Sequence, residues 1–197
     1  MTNQVWVLRH GESTANVEGL IVSVPGPRAL TEVGLTPLGR AQAREAADVG
    51  AAQGLGPGTV VVSSDFARAL QTAEEFAGGL GTAAPSLDQR LRERSFGRHD
   101  EGPASAYDQV WEIDRGRGAH EHEVEQVSAV VARVLAVLRE ADEIARTAPV
   151  VLVAHGDVLQ IALAIGAGMD PHDHRDVPHL ANAELRELGP SRAGADA

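Results

Sequence analysis

Two histidines stand where an apolar run stops, and each is followed at once by glycine: "VWVLRHGESTAN" (5–16) and "VVLVAHGDVLQ" (150–160). An imidazole can serve as nucleophile, base, ligand or hydrogen-bond donor. His10 has Arg9 beside it, and Arg68 follows a third apolar run, "TVVVSSDFAR" (59–68). A guanidinium grips an oxyanion with a planar fork of N–H donors. Two His and two Arg brought to one point would make a site for a phosphate or another oxyanion. Taken singly, each has a plainer reading. A histidine at a strand end is commonly a structural hydrogen-bonding residue, and Arg68 alone would be a surface residue of a helix. Gly11 reads as the residue that lets the chain turn away from His10 so that a ligand can approach.

The elements that would bring these groups together follow from the patterning. "QVWVLRH" (4–10), "GPGTVVVSS" (56–64) and "APVVLVAHG" (148–156) read as short buried strands. Residues 11–35 read as loop. Residues 36–54 read as a helix with Thr36 as N-cap and Pro37 in its first turn. The stretch 64–79 reads as a helix capped by Ser64 or Asp65 and stopped by Gly78–Gly79. Residues 80–122 read as irregular, with a short helix around 106–116. The spacing of Val127, Val130, Val131, Val134, Leu135 and Leu138 predicts a long helix over 123–147. A buried helix follows at 157–168, and 179–188 reads as a last, edge strand. Alternating strands and helices predict an α/β domain over 1–197, a three-layer α/β/α sandwich with a mainly parallel sheet. The polar segment 95–122 reads as a small insertion over the active-site edge, and 189–197 as a frayed tail. In such sheets ligands sit beyond the carboxyl ends of the strands, where Arg9, His10, Ser63, Ser64 and His155 stand.

Composition removes several chemistries. The 197 residues include no Lys, so all 17 basic residues are Arg. A phosphate-loop lysine and a Schiff-base lysine are both excluded. There is no Cys, which excludes disulfides, thiolate nucleophiles and cysteine-held zinc, and fits a reducing, cytoplasmic setting. The net charge of -11 without any basic block speaks against a nucleic-acid groove, and the 3% aromatic content against base-stacking platforms. No apolar run approaches the ~20 residues of a membrane span. Any phosphate would have to be held by Arg, His or backbone N–H groups.

Here the sequence resembles the histidine phosphatase superfamily, also called phosphoglycerate mutase-like. "LRHGES" with Asn16, then "LTPLGRAQA" (35–43), "SSDFARALQTAE" (63–74), "LRERSFG" (91–97) and "VAHGDVLQ" (153–160) look like its blocks, in its order. The resemblance implies that His10 attacks phosphorus and carries a phosphohistidine, splitting one displacement into two. His10 then needs a neutral attacking nitrogen, its other nitrogen donating to a carbonyl or carboxylate. Arg9, Arg68 and His155 would hold the non-bridging oxygens, with Asn16 as a neutral donor and Ser13 as a helper. No cofactor or metal is called for. The acid that protonates the leaving oxygen maps onto Glu93, with Asp100 and Glu101 in reserve. Glu93 lies between Arg92 and Arg94, which by themselves favour its ionised form, so it must be desolvated or pushed up by the substrate to act.

Both phosphatases and mutases belong to this superfamily. A mutase must hold a second anionic end of its substrate, and mutases of the family use lysine and clustered base downstream of the acid. The absence of lysine and the acidic insertion favour a phosphatase; sugar phosphates, fructose bisphosphates, small phosphorylated metabolites and phosphoprotein are its candidate substrates, with a small phosphorylated metabolite or sugar phosphate the expected one, and Arg115 and Arg117 would be the basic residues of a mutase. Two rivals stand beside this reading. "PHDHRD" (171–176) contains H-x-H-x-D, a spacing found in metallohydrolases, although Val177 stands where a further His would be expected. A third possibility is a relative that binds phosphate without turning it over. Asn182, in "PHLANAEL", is a further candidate for a pocket contact.

Overall fold

The computed structural model describes residues 4–189. Its sheet has five strands, β1 (Val5–Arg9), β2 (Val60–Ser63), β3 (Ser86–Leu87), β4 (Val150–Ala154) and β5 (Leu185–Leu188), in the order β3-β2-β4-β1-β5. β1 to β4 run parallel, and β5 lies antiparallel against β1 at the edge. The α-helices are α1 (Thr14–Glu18), α2 (Pro37–Ala52), α3 (Ala67–Leu80), α4 (Tyr107–Arg115), α5 (Val127–Ile144) and α6 (Gly156–Gly166).

The layers follow from the two-residue period of a strand. Val5 and Val7 of β1, with Val150, Leu152 and Ala154 of β4, face α5 and α6. Trp6 and Leu8, with Val151 and Val153, face Ala46 and Ala47 of α2 and Ala73, Phe76 and Ala77 of α3. Both faces are covered, which is why these strands read as unbroken apolar runs instead of alternating ones. The expected α/β/α sandwich is the observed one.

β1 and β4 are neighbours, with Arg9 opposite Ala154. The chain leaving β1 runs on to α2 on one face, and the chain leaving β4 enters α6 on the other. Connections that part in this way open a crevice at the carboxyl ends of the strands. The ladder continues one residue past the strands: His10 N donates to Ala154 O at 3.0 Å, and Ser64 N to Val153 O at 2.9 Å. His10, Ser64 and His155 are thereby fixed side by side by backbone bonds.

Several local expectations are corrected. Residues 11–35 are not all loop: Ser13 caps α1 in a capping box with Asn16, and Arg28–Glu32 form a π-helical turn. Thr36 caps α2 as expected, accepting from Gly39 N. α3 begins at Ala67 after Phe66, with no side-chain cap; Asp65 is held instead by Arg92 at 2.5 Å. The helix runs through Gly78–Gly79 and stops at Gly81, which takes the left-handed conformation. Gly79 serves packing, since a Cβ there would lie 2.6 Å from that of Ala47. The long helix starts at Val127, after 123–126, and within 179–188 only Leu185–Leu188 is strand. β3 has two exposed residues and no apolar pattern to betray it. From residue 190 onward the expected tail lies outside the described residues.

Candidate active site

Beyond β1 and β4 lies a cavity of about 260 Å³, lined at one end by Arg9, His10, Arg68 and Glu93. His10 is 4% exposed. Its Nδ1 lies 2.8 Å from Gly11 O, the carbonyl partner expected of it, and Arg68 Nε donates to its Nε2 at 3.2 Å. A nitrogen that accepts carries no proton, so Nε2 presents its lone pair. Burial, then Arg68 and Arg9, push the His10 pKa well below the ordinary histidine value.

Gly11 plays a different part from the one expected. It faces α2, and a Cβ there would sit 2.4 Å from Gly39 O. The glycine permits the loop after β1 to lie on the first turn of α2; it does not open a path for a ligand. Gly11 N is also bound to Thr72 Oγ1 of α3 at 3.0 Å.

Arg68 is 4% exposed and anchored through Nη2 to Val22 O at 2.8 Å. Arg9 reaches Leu180 O at 2.6 Å and lies 3.1 Å from His179 Nε2. His155 is fully buried, its ring 5.3 Å from that of His10, with Nε2 2.9 Å from Ser64 Oγ. Burial and the charge of Arg68 also push its pKa well down. Three buried nitrogens here have no hydrogen-bond partner: Arg9 Nε, Arg68 Nη1 and His155 Nδ1. Such groups are costly unless a ligand meets them.

Glu93 is 9% exposed, and its Oε1 accepts from Arg94 N at 2.9 Å. Its pKa is raised by burial first and by the negative charge of Asp157 second. The flanking arginines do not oppose this as their sequence positions suggest. Arg92 turns to Asp65, and Arg94 to Asp114 at 2.6 and 2.9 Å and to Asp157 at 3.3 Å. Asp157 goes the other way: burial would raise it, but His174, Arg94 and Arg175 hold it below the usual aspartate range. Two neighbouring carboxyls are thus driven apart, one toward acid and one toward anion.

Asn16 and Ser13 both line the cavity. Asn16 Oδ1 accepts from Ser13 N at 3.0 Å and from Asn182 Nδ2 at 3.3 Å, which leaves the Asn16 amide N–H groups for the cavity. Asn182 itself bonds His10 O at 3.2 Å, supporting the site from behind. Asp100 does not reach the cavity; it is spent on Ser23 and Val24, while Glu101 lies 3.8 Å from Arg28. Arg115 and Arg117 turn outward to Asp176, Asp170 and Asp173. The H-x-H-x-D residues are likewise engaged: His172 with Asp170, Asp176 with Arg115, and His174 with Pro171 O and near Asp157.

The far wall comes from the 95–122 segment and the turn at 171–176. Phe96, Ala106, Val110 and Val124 enclose Ile21 in a small core of their own. Phe96 bridges to Val124, and a Cβ on Gly97 would lie 2.1 Å from His122 O, so the segment closes tightly on itself. Tyr107 stacks on Trp111 at 5.1 Å, Trp111 Nε1 donates to Asp157 at 2.9 Å, and Arg175 lies 3.7 Å over the Trp111 ring. Tyr107, Trp111, Asp157, Arg175 and His179 are cavity residues that the sequence reading missed. Asp157 directly follows the second His-Gly, and Arg175 sits inside "PHDHRD", a stretch whose histidines are its conspicuous feature.

The family model of the histidine phosphatase superfamily (branch 1) matches residues 5–196. The chain belongs to that superfamily, as its five blocks suggested, and so to the phosphatase and phosphoryl-transfer enzymes. It is similar to a mycobacterial glucosyl-3-phosphoglycerate phosphatase solved with VO3, at 26% identity and a TM-score of 0.76, over 94% of this chain and 92% of that one. It is also similar to a Thermus thermophilus protein, TTHB049, at 28% identity and a TM-score of 0.67, over 93% and 91% of the two chains. Bacillus stearothermophilus YhfR shares the fold at 23% identity, with a TM-score of 0.75 over 93% and 89%. No curated protein sequence matches the chain.

Proposed function

We propose that the protein hydrolyses small phosphomonoesters through a phosphohistidine at His10, without a metal. His10 Nε2 attacks phosphorus while the P–O ester bond breaks, and Glu93 gives its proton to the departing oxygen. Water then attacks the phosphohistidine, Glu93 takes back a proton, and His10 and inorganic phosphate are released. Arg9, Arg68, His155 and Asn16 hold the phosphoryl oxygens, the positioning and charge stabilisation that dominate this chemistry.

The observation that carries this reading is the trio of unpartnered buried nitrogens around His10. Ser64 Oγ accepts from Phe66 N, so its own proton can go to His155 Nε2, which leaves His155 Nδ1 as an N–H. Arg9 Nε, Arg68 Nη1 and His155 Nδ1 then form a set of donors with no acceptor among the described residues. Non-bridging phosphoryl oxygens are the acceptors that suit them. Burial, then the charge of Asp157, raise the Glu93 pKa, the direction that a general acid needs. A cavity of about 260 Å³ suits a small metabolite better than a segment of phosphoprotein.

The test is phosphate release from a panel of small phosphomonoesters in excess EDTA, comparing wild type with His10→Ala. Release that resists EDTA and disappears in the variant is expected, with an acid-labile phosphoryl group trapped on the wild-type chain. Release abolished by EDTA, or persisting in His10→Ala, would overturn the reading.

A further inference from the structure

We infer that Arg175 binds a second anionic group of the substrate, so that the ester hydrolysed carries an acid function at the end away from the scissile phosphoryl group. The inference rests on the reading of His10 as the phosphoryl site and adds the class of leaving group.

Arginine is the only side-chain cation here besides protonated histidine, and nearly every arginine with part of its surface buried is neutralised inside the fold. Arg40 pairs with Glu75, Arg90 with Asp88 and Glu140, Arg92 with Asp65, Arg94 with Asp114, Arg133 with Glu125 and Arg186 with Glu184. Among the described arginines that are buried or half-buried, three make no ion pair: Arg9, Arg68 and Arg175. All three line the same cavity. Arg9 and Arg68 flank His10 and have a phosphoryl group to meet. Arg175 has no hydrogen bond to His10 and stands instead on the Trp111 wall, within electrostatic reach of Arg9 and Glu93.

Arg175 is also held in place as a binding group would be. One of its Nη atoms donates to Gln160 Oε1, and Gln160 is locked in turn by Nε2 donating to Val177 O at 3.1 Å. Its Cζ lies 3.7 Å from the centre of the Trp111 ring, a cation–π contact that consumes no N–H donor. Nε and the other Nη donate to nothing among the described residues. The nearest buried carboxylate, Asp157, is already bonded to Trp111 Nε1 and Arg94.

The aromatic wall does not offer an alternative kind of recognition. Trp111 has Tyr107 against one face at 5.1 Å and Arg175 over its ring at 3.7 Å, and its N–H is taken. It is no platform for a base or a sugar ring. Arg175 lines this cavity and also the neighbouring groove of Asp108, Glu112 and Arg115, and the N–H groups it leaves without a partner match a carboxylate or a second phosphate.

The experiment uses a chain-length series, because it asks nothing in advance about the span from His10 to Arg175. ω-Carboxyalkyl phosphates of two to five carbons and the matching alkanediol bisphosphates are compared with plain alkyl phosphates in the full-length protein. Wild type is expected to prefer an acid-bearing ester by about 10–100-fold in kcat/KM at one or more lengths, the value of a charge-assisted pair. The better arm identifies carboxylate or phosphate as the partner. Arg175→Met should collapse that preference toward unity, mainly through KM, while Arg175→Lys should keep much of it. The matching carboxyalkyl- and alkylphosphonates, titrated calorimetrically, should show the same preference in Kd without turnover. His10-dependent release with no acid preference, or a preference that survives Arg175→Met, overturns this inference and leaves the His10 reading standing. Loss of all release with the Kd preference intact does the reverse.

Discussion

Arg94 has no solvent exposure, and each nitrogen of its guanidinium donates inside the fold: Nε to Glu125 O at 2.8 Å, Nη1 to Asp114 and Asp157, and Nη2 to Asp114. Asp114 belongs to α4 in the cavity wall and Asp157 to α6 on the sheet, so one guanidinium fastens wall to sheet. Replacing it by methionine keeps the length of the side chain and removes the charge. Asp114 is 1% exposed and would retain only His120, at 2.6 Å. Breaking a buried pair from one side costs about 3–5 kcal/mol, because the remaining charge stays out of water. At about 2–4 °C per kcal/mol for a chain of this size, Arg94→Met should melt roughly 6–20 °C lower. Adding Asp114→Leu removes the stranded carboxylate, and apolar replacement of a buried pair is often neutral. The double variant should therefore recover at least about 2 kcal/mol of the loss, since Asp157 keeps the Trp111 N–H. Urea unfolding of wild type, both single variants and the double gives the cycle. A loss below about 1 kcal/mol in Arg94→Met, or no recovery in the double variant, would refute the reasoning.

Four other outcomes are expected. Glu93→Gln should slow alkyl phosphates far more than aryl phosphates, because only poor leaving groups need the proton; equal slowing removes Glu93 as the acid. The same change should raise stability at neutral pH. The Glu93 pKa is raised in the fold, so its contribution is full below the unfolded value near 4.3 and is lost as pH climbs through the folded value. The gain from this substitution should vanish toward about pH 4 in urea titrations, and a pH-independent gain would contradict this. His10 and His155 have lowered pKa values, so below about pH 6.5 the unfolded chain takes up protons that the fold refuses. Stability should then fall with pH by up to about 1.4 kcal/mol per unit for each, and His155→Gln should halve that share of the slope. Gly11→Ala should lower stability by about 1–3 kcal/mol through its collision with Gly39 O, measured by thermal melting.

The parts of this molecule that were legible in its sequence are those governed by local pattern. Unbroken apolar runs ending in His-Gly announced strands covered on both faces, and parallel strands bring their ends together, so His10 and His155 fell side by side. What escaped were pairings between distant side chains. Glu93 between two arginines looks like a charge run, but successive side chains point different ways, and Asp65 and Asp114 draw the arginines off. Gly11 is explained by Gly39, a residue of another element. Arg175 was hidden among histidines because nothing in "HDHRD" tells which member turns inward. β3 left no trace, having neither length nor apolar periodicity.

The central position of β1 has a consequence for how the chain is made. The strand that ends in Arg9, just before His10, is synthesised before both of its partners, β4, with Val5 opposite Val150, and β5, with Val5 opposite Leu188. Its pairing joins Val5 to residues as distant in the chain as Val150 and Leu188. The sheet therefore cannot close in the order of synthesis, and an apolar strand must wait, uncovered, for residues still to be translated. Non-local pairing of this kind slows folding and exposes strand edges to other chains. A nascent chain halted before β4 would hold His10, the proposed nucleophile, with no sheet to mount it on, so competence should arrive only with β4 and β5.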